Sequence, residues 1–101
     1  MGSMADFGLS DRVVIPDAIV SRDLGGEAIV LNLETGVYFS LDEVATTIWQ
    51  GLQAHGTLQG AFDQALSKYE VERDVLEADL LRLVDQMASK GLLAAAPPVE
   101  G

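Results

Sequence analysis

Histidine and cysteine, which often serve as catalytic bases, nucleophiles and zinc ligands, are almost absent from this sequence. The only histidine, His55, lies in an Ala-His-Gly stretch, and the chain has no cysteine. Thiolate zinc sites, disulfides and cysteine nucleophiles are therefore excluded, and His55 has no second imidazole with which to share a metal ion. A serine nucleophile would need His55 beside it as a base. We expect neither a metal site nor a catalytic serine.

Carboxylates and glycines are more common, but their positions favour structural roles. Glu70 and Glu72, like Asp42 and Glu43, stand at predicted turns and helix starts, where acids interact favourably with the helix dipole. Gly25-Gly26 precedes a predicted strand and lacks the following helix whose N-terminus holds phosphate in nucleotide-binding motifs. The sequence therefore predicts no cofactor and no enzymatic activity.

The composition indicates one folded, acidic domain. The chain has 101 residues, of which 49% are hydrophobic, and its sixteen acidic and six basic residues give a formal net charge of −10. A negative field of this size repels phosphate backbones, so we do not expect a nucleic-acid partner. No apolar run approaches the ~20 residues of a membrane span, and no export signal is visible. We expect a soluble, cytoplasmic protein without a membrane partner.

Hydrophobic patterns predict three strands in the N-terminal half. Residues 12–16 form a brief β-branched run closed by a proline, which favours an edge strand. Apolar residues alternate in 28–33 and again in 37–41, and the short connection between these runs is typical of a tight hairpin, with Gly36 at a positive φ. On the last strand, alternation predicts Val37, Phe39 and Leu41 on the core face and Tyr38 and Ser40 on the outer face.

From Asp42 onward the apolar period changes from two to 3.6, which predicts three helices. We expect Ser40 or Asp42 to cap the first, Thr57 to cap the second, and Asp74 to begin the third. The third helix ends before Gly91 and carries an apolar arc wider than the ~100° usual for a surface helix.

These elements predict an α+β domain over residues 12–93. Residues 1–11 are expected to hold an expression-tag remnant at Met1-Gly2-Ser3 and a disordered N-terminus. Residues 94–101 show no periodic pattern, and we expect them to be disordered as well.

The third predicted strand could offer an open edge. Residues 37–41 carry no charge and no proline, so the strand could accept an extended peptide by strand addition. The wide apolar arc of the third helix could form one wall of the peptide-binding groove. It could equally be an inner strand, be covered by the ends of the chain, or pair with its own copy in a homodimer.

Four stretches occur in a characteristic order and spacing: residues 28–42, Ile48-Trp49, Tyr69-Glu70-Val71, and the run from Asp79 to Leu93. Together they resemble the PqqD-like family of peptide-modification chaperones, also called RiPP recognition elements. The resemblance covers residues 12–93. Its most specific parts are the hairpin and the closing Gly-Leu-Leu.

This resemblance implies a winged helix-turn-helix-like fold, with three N-terminal antiparallel strands followed by three helices. It implies a protein that binds the leader of a ribosomally made precursor peptide and presents it to a separate modifying enzyme, such as a radical S-adenosylmethionine enzyme, a cyclase system or a leader peptidase. Quinone-cofactor, lasso-peptide and other pathways share this scaffold. In the family the leader lies beside the third strand and against the exposed side of the third helix. The implied peptide-binding residues are Val37, Tyr38, Phe39, Ser40, Leu41, Asp79, Leu80, Leu83 and Met87.

A winged-helix fold is also used by DNA-binding regulators. Here the third helix carries three acids against two bases, an unfavourable balance in a groove lined by phosphate. Those residues are Glu77, Asp79, Asp85, Arg82 and Lys90.

Overall fold

In the computed structural model, which describes residues 7–96, strands precede helices along the chain. The strands are β1 (Val13–Val14), β2 (Ile19–Asp23), β3 (Ala28–Asn32) and β4 (Tyr38–Leu41), the helices are α1 (Glu43–His55), α2 (Leu58–Lys68) and α3 (Arg73–Ser89), and β5 (Ala94–Ala95) follows. β2, β3 and β4 form one antiparallel sheet in that order, and β1 pairs with β5. The predicted α+β fold is confirmed.

The strand assignments differ from the sequence prediction at the N-terminal end. The strand predicted at residues 12–16 spans only Val13–Val14 and pairs with β5, outside the main sheet. The first strand of the main sheet is β2, which the sequence analysis missed. In β2 only Ile19 is partly buried and the other four residues are exposed, so the strand shows no apolar alternation.

Both ends of the predicted domain extend further than residues 12–93. Phe7 and Leu9 are partly buried against the core. The expectation of disorder is wrong for Ala94 and Ala95, because pairing with β1 orders them without any contribution from side-chain pattern. Residues 1–6 and 97–101 lie outside the described part of the chain.

The hairpin between β3 and β4 is confirmed, and Asn32 organises it. Gly36 has a φ of 79°. The Asn32 side-chain carbonyl accepts hydrogen bonds from the N–H groups of Glu34 and Thr35, at 2.8 and 3.2 Å. Its Nδ2 donates to the Gly91 carbonyl oxygen at 3.2 Å, which ties the hairpin to the end of α3.

Helix starts follow the expected cap chemistry in two of three cases. Asp42 accepts a hydrogen bond from the Ala45 N–H at 2.8 Å, and Thr57 accepts one from Gly60 at 3.1 Å. The third prediction is wrong, because α3 begins earlier, after Glu72, whose side chain makes no capping hydrogen bond.

The core lies between the sheet and the helices, and its largest fully buried side chains include Trp49, Phe62, Leu80 and Met87.

The contact between α1 and α2 depends on the absence of a side chain at Gly51. A Cβ there would lie 2.7 Å from the Ala61 Cα, which is backbone and cannot move aside alone. We expect Gly51→Ala to lower the free energy of unfolding by about 1–3 kcal/mol through overpacking. Urea denaturation followed by the fluorescence of Trp49, the only tryptophan, measures this.

Gly8→Ala is the matched control, because a Cβ at Gly8 meets nothing within 4 Å and its φ is not positive. It should change stability by less than about 0.5 kcal/mol. Equal stability of both variants would contradict the close helix contact.

Candidate peptide-binding site

β4 is an edge strand, which excludes the inner-strand alternative within residues 7–96. The Asn32 N–H donates to the Val37 carbonyl oxygen at 2.8 Å, so this pair belongs to the hydrogen-bonded set of the ladder. Antiparallel pairing alternates, and the N–H and C=O groups of Phe39 and Leu41 therefore point to β3. Those of Tyr38 and Ser40 point to the open side.

The two edges of the main sheet differ in their protection. β2 carries Arg22 and Asp23 and follows Pro16, features that discourage pairing with another strand. β4 carries neither charge nor proline. The chain ends do not cover it in the described residues, because β1 and β5 pair with each other. β4 is therefore the edge suited to accept an added strand.

Thr46 fixes the end of β4 to α1. The Ala28 N–H donates to Thr46 Oγ1 at 2.9 Å, and the Thr46 hydroxyl donates to the Leu41 carbonyl oxygen at 3.4 Å. Thr46 is 3% exposed, so these bonds form away from water. Because of them, the open edge and the N-terminal turn of α1 hold a defined relative position.

A groove of about 320 Å³ lies between α1 and α3, beside the point where β4 ends. α1 and the residue before it contribute four of the lining residues, and α3 and the segment before it contribute seven. The lining residues are Asp42, Val44, Ala45, Ile48, Val71, Val75, Leu76, Asp79, Arg82, Leu83 and Gln86.

Of the four α3 residues expected to bind the peptide, two line the groove and two are buried in the core. Asp79 and Leu83 line the groove, although Leu83 is only 9% exposed. Leu80 and Met87 are fully buried at 0% exposure, so the expectation that their exposed sides line the groove is wrong. Both lie on the stripe of α3 that packs into the core, which accounts for the wide apolar arc.

On β4 the outward orientation of Tyr38 and Ser40 is confirmed, and Tyr38 is 66% exposed. Leu41 is buried and Phe39 half-buried against the core. Val37 was expected on the core face, but it is exposed. It lies in the hairpin connection just before β4 begins, at the periphery of the sheet.

Sequence reasoning missed the α1 side of the groove and its mouth. Val75 is 55% exposed and Val71 39% exposed, and both line the groove. The sequence did contain a signal for Val75. It lies one helical turn before Asp79 and two turns before Arg82, so it is an apolar residue on the polar side of α3. Nothing in the sequence pattern distinguished Val44 and Ile48 from ordinary core residues.

The charged side chains of the groove are already engaged with the protein. One Asp42 oxygen caps α1, and Asp79 Oδ1 lies 3.1 Å from an Arg82 guanidinium nitrogen. At the other end of β4, Lys90 Nζ lies 5.7 Å from the centre of the Phe39 ring.

In residues 7–96 no three acidic or histidine side chains group in a way that could hold a metal ion. In those residues, too, no helix is both long and apolar enough to span a bilayer.

The family profile described as "Coenzyme PQQ synthesis protein D (PqqD)" matches residues 27–93. This chain belongs to the PqqD family. The matched segment contains β3, β4 and all three helices, and therefore both the open edge and the groove. The family resemblance drawn from the sequence is thus confirmed.

A solved structure gives the same result for the fold. The chain is similar to TbiB1, solved in complex with the TbiA(beta) leader peptide, with a TM-score of 0.74 and 34% sequence identity. The match covers 83% of this chain and 98% of the TbiB1 chain. The search of curated proteins found no match.

Proposed function

We propose that this PqqD-family chain binds the leader segment of a ribosomally made precursor peptide by adding it as a strand to β4. The observation that carries the proposal is an uncharged, open edge strand that ends beside an apolar groove. The similarity to TbiB1, whose structure holds a leader peptide, supports the same function. The proposed contacts are Val37 to Leu41 along the edge, with Asp79 and Leu83 in the groove.

The open edge alone supplies limited affinity. Tyr38 and Ser40 offer two N–H donors and two C=O acceptors to an added strand, and each hydrogen bond contributes a net ~0.5–1.5 kcal/mol. Micromolar binding needs about 8 kcal/mol after the cost of ordering the peptide. Burying one or two apolar leader side chains in the groove contributes a further ~1.5–3 kcal/mol each. The edge therefore aligns the leader, and the groove selects it.

We propose that the chain itself catalyses no reaction. Its proposed contacts with the leader are main-chain groups, apolar side chains and Asp79, whose carboxylate is already paired with Arg82. Such contacts bind a peptide without activating a bond. The modification then belongs to a separate enzyme, such as a radical S-adenosylmethionine enzyme, a cyclase system or a leader peptidase. Ribosomes release precursor peptides in the cytoplasm, where we place the encounter.

Proline substitutions distinguish the two edges. Ser40→Pro removes an outward-facing N–H of β4 and should weaken leader binding by at least about tenfold, because the ring blocks an incoming strand. Its ladder bonds to β3 remain, since Ser40 does not donate to that strand. Fluorescence anisotropy with labelled leaders of precursors encoded beside this chain measures the loss, with labelled duplex DNA as a non-binding control.

Ser21→Pro is the matched control on the opposite edge. Ser21 lies opposite Val30, and the Leu33 N–H donates to the Ala18 carbonyl oxygen, so alternation points the Ser21 N–H outward too. This variant should bind the leader as wild type does. Equal losses in both variants, or a loss only in Ser21→Pro, would contradict strand addition at β4. Sedimentation with and without leader detects the competing possibility, a dimer paired through the same edge.

The groove is tested at its exposed mouth. Val75→Glu places a charge where an apolar leader side chain should be buried, and we expect binding to weaken by roughly tenfold or more with the unfolding temperature little changed. Val20→Glu is the control, because Val20 is similarly exposed, at 43%, but lies on the outer face of the sheet. Leu83 is unsuited to this test, since a glutamate there would be buried. Unchanged leader affinity in Val75→Glu would exclude the groove as the leader site.

A further inference from the structure

Three of the four acidic residues of α3 lie outside the groove, and Asp79 is the exception. Arg82 and Gln86 line the groove, while Asp74, Glu77 and Asp85 lie outside it. Helical spacing of four residues places Lys90 on the same line as Arg82 and Gln86. We call Arg82, Gln86 and Lys90 the donor ridge, because each carries N–H donors. The ridge is notable in a chain whose net charge is −10.

The donor ridge runs alongside β4. At one end Lys90 Nζ lies 5.7 Å from the Phe39 ring centre. At the other end Arg82 lines the same groove as Asp42, the residue that follows β4. Successive ridge residues are about 6 Å apart along the helix, and alternate residues of a strand are about 6.7 Å apart. Side chains at alternate positions of an added strand would therefore meet successive donors.

Charge pairing leaves one end of the ridge open to an anion. Asp42 is engaged in the α1 cap, and Asp79 shares Arg82. Lys90 makes no ion pair with any residue in the described range. An incoming carboxylate would find a free ammonium beside Phe39 and a shared guanidinium further along. The net charge of −10 makes most of the remaining surface unfavourable for a carboxylate, so this register is the preferred one for an acidic side chain.

We propose that the donor ridge makes this chain selective for leaders with an acidic side chain beside Lys90, two or four residues from the apolar side chain that enters the groove. This inference rests on the proposed leader binding and names the class of leader. The acidic and apolar side chains lie on one face of the bound strand, because both point toward the helices.

A charge swap tests the proposal. The probes are labelled leaders of precursors encoded beside this chain, each also made with the acid in question changed to lysine. Lys90→Glu should lower the affinity for the acidic leader by roughly fivefold to tenfold, and Lys90→Gln should lower it by less. Lys90→Glu should also bind the lysine leader more tightly than wild type does. Arg22→Glu, an equal charge change on the outer face of the sheet, should alter either affinity by less than about twofold.

Freeing Arg82 provides a test by gain of affinity. Asp79→Asn removes the carboxylate that shares Arg82, so the acidic leader should bind about two to three times more tightly, and the gain should fall at high salt. A nonspecific disturbance of the groove would weaken binding instead and would overturn this role of Arg82.

The outcomes separate this inference from the proposed function. If wild type binds a leader but Lys90→Glu binds it equally well, selectivity by the ridge is wrong while leader binding stands. The same conclusion follows if the bound leaders have no acid on the groove-facing side. If wild type binds no leader, the proposed function fails and this inference fails with it.

Discussion

The pairing register between β3 and β4 is the constraint on which the candidate site depends. Ala28 and Val30 on β3 and Leu41 on β4 are buried on the same core face, so a slip of β4 by one residue would turn Leu41 outward and remove it from the core. The same register decides which main-chain groups of β4 remain open. Burial of these three aliphatic side chains thus keeps the main-chain N–H and C=O groups of Tyr38 and Ser40 on the open side of the sheet.

Two buried polar side chains connect this edge to the helices that form the groove. Asn32 links the hairpin to Gly91 at the end of α3, and Thr46 links β3 and β4 to α1. Polar groups buried in this way are costly unless they are bonded, so each favours a single arrangement of the elements it joins. The groove walls and the open edge are therefore positioned before any peptide arrives, which lowers the ordering cost of binding.

The fold was largely predictable because its main elements have strong periodic signals. The hairpin at residues 28–41 and the three helices follow from alternation and from the change of period at Asp42. The sequence pattern did not predict β2, because four of its five residues are exposed. It did not predict β5 either, because the pairing of β5 with β1 uses only main-chain groups. Both are cases in which tertiary pairing forms a strand without local pattern.

The site was predictable on its strand and less so on its helices. Period two assigned Tyr38 and Ser40 to the outer face, but the lack of charge on this strand left an open edge and an inner strand equally possible, and the sheet order decided between them. On α3 the apolar pattern could not separate Leu80, which fills the core, from Leu83, which borders the groove. That difference depends on how α1 lies against α3, which no single-helix pattern encodes.

The central claim is that a leader lies as a strand against β4, and distances across that edge test it most directly. Isotope-edited nuclear Overhauser spectra of the labelled chain with an unlabelled leader would report them. The account predicts contacts from the amide protons of Tyr38 and Ser40 to leader main-chain protons, in the alternating pattern of paired strands. Leader contacts at β2, or at the groove without any at Tyr38 and Ser40, would contradict it.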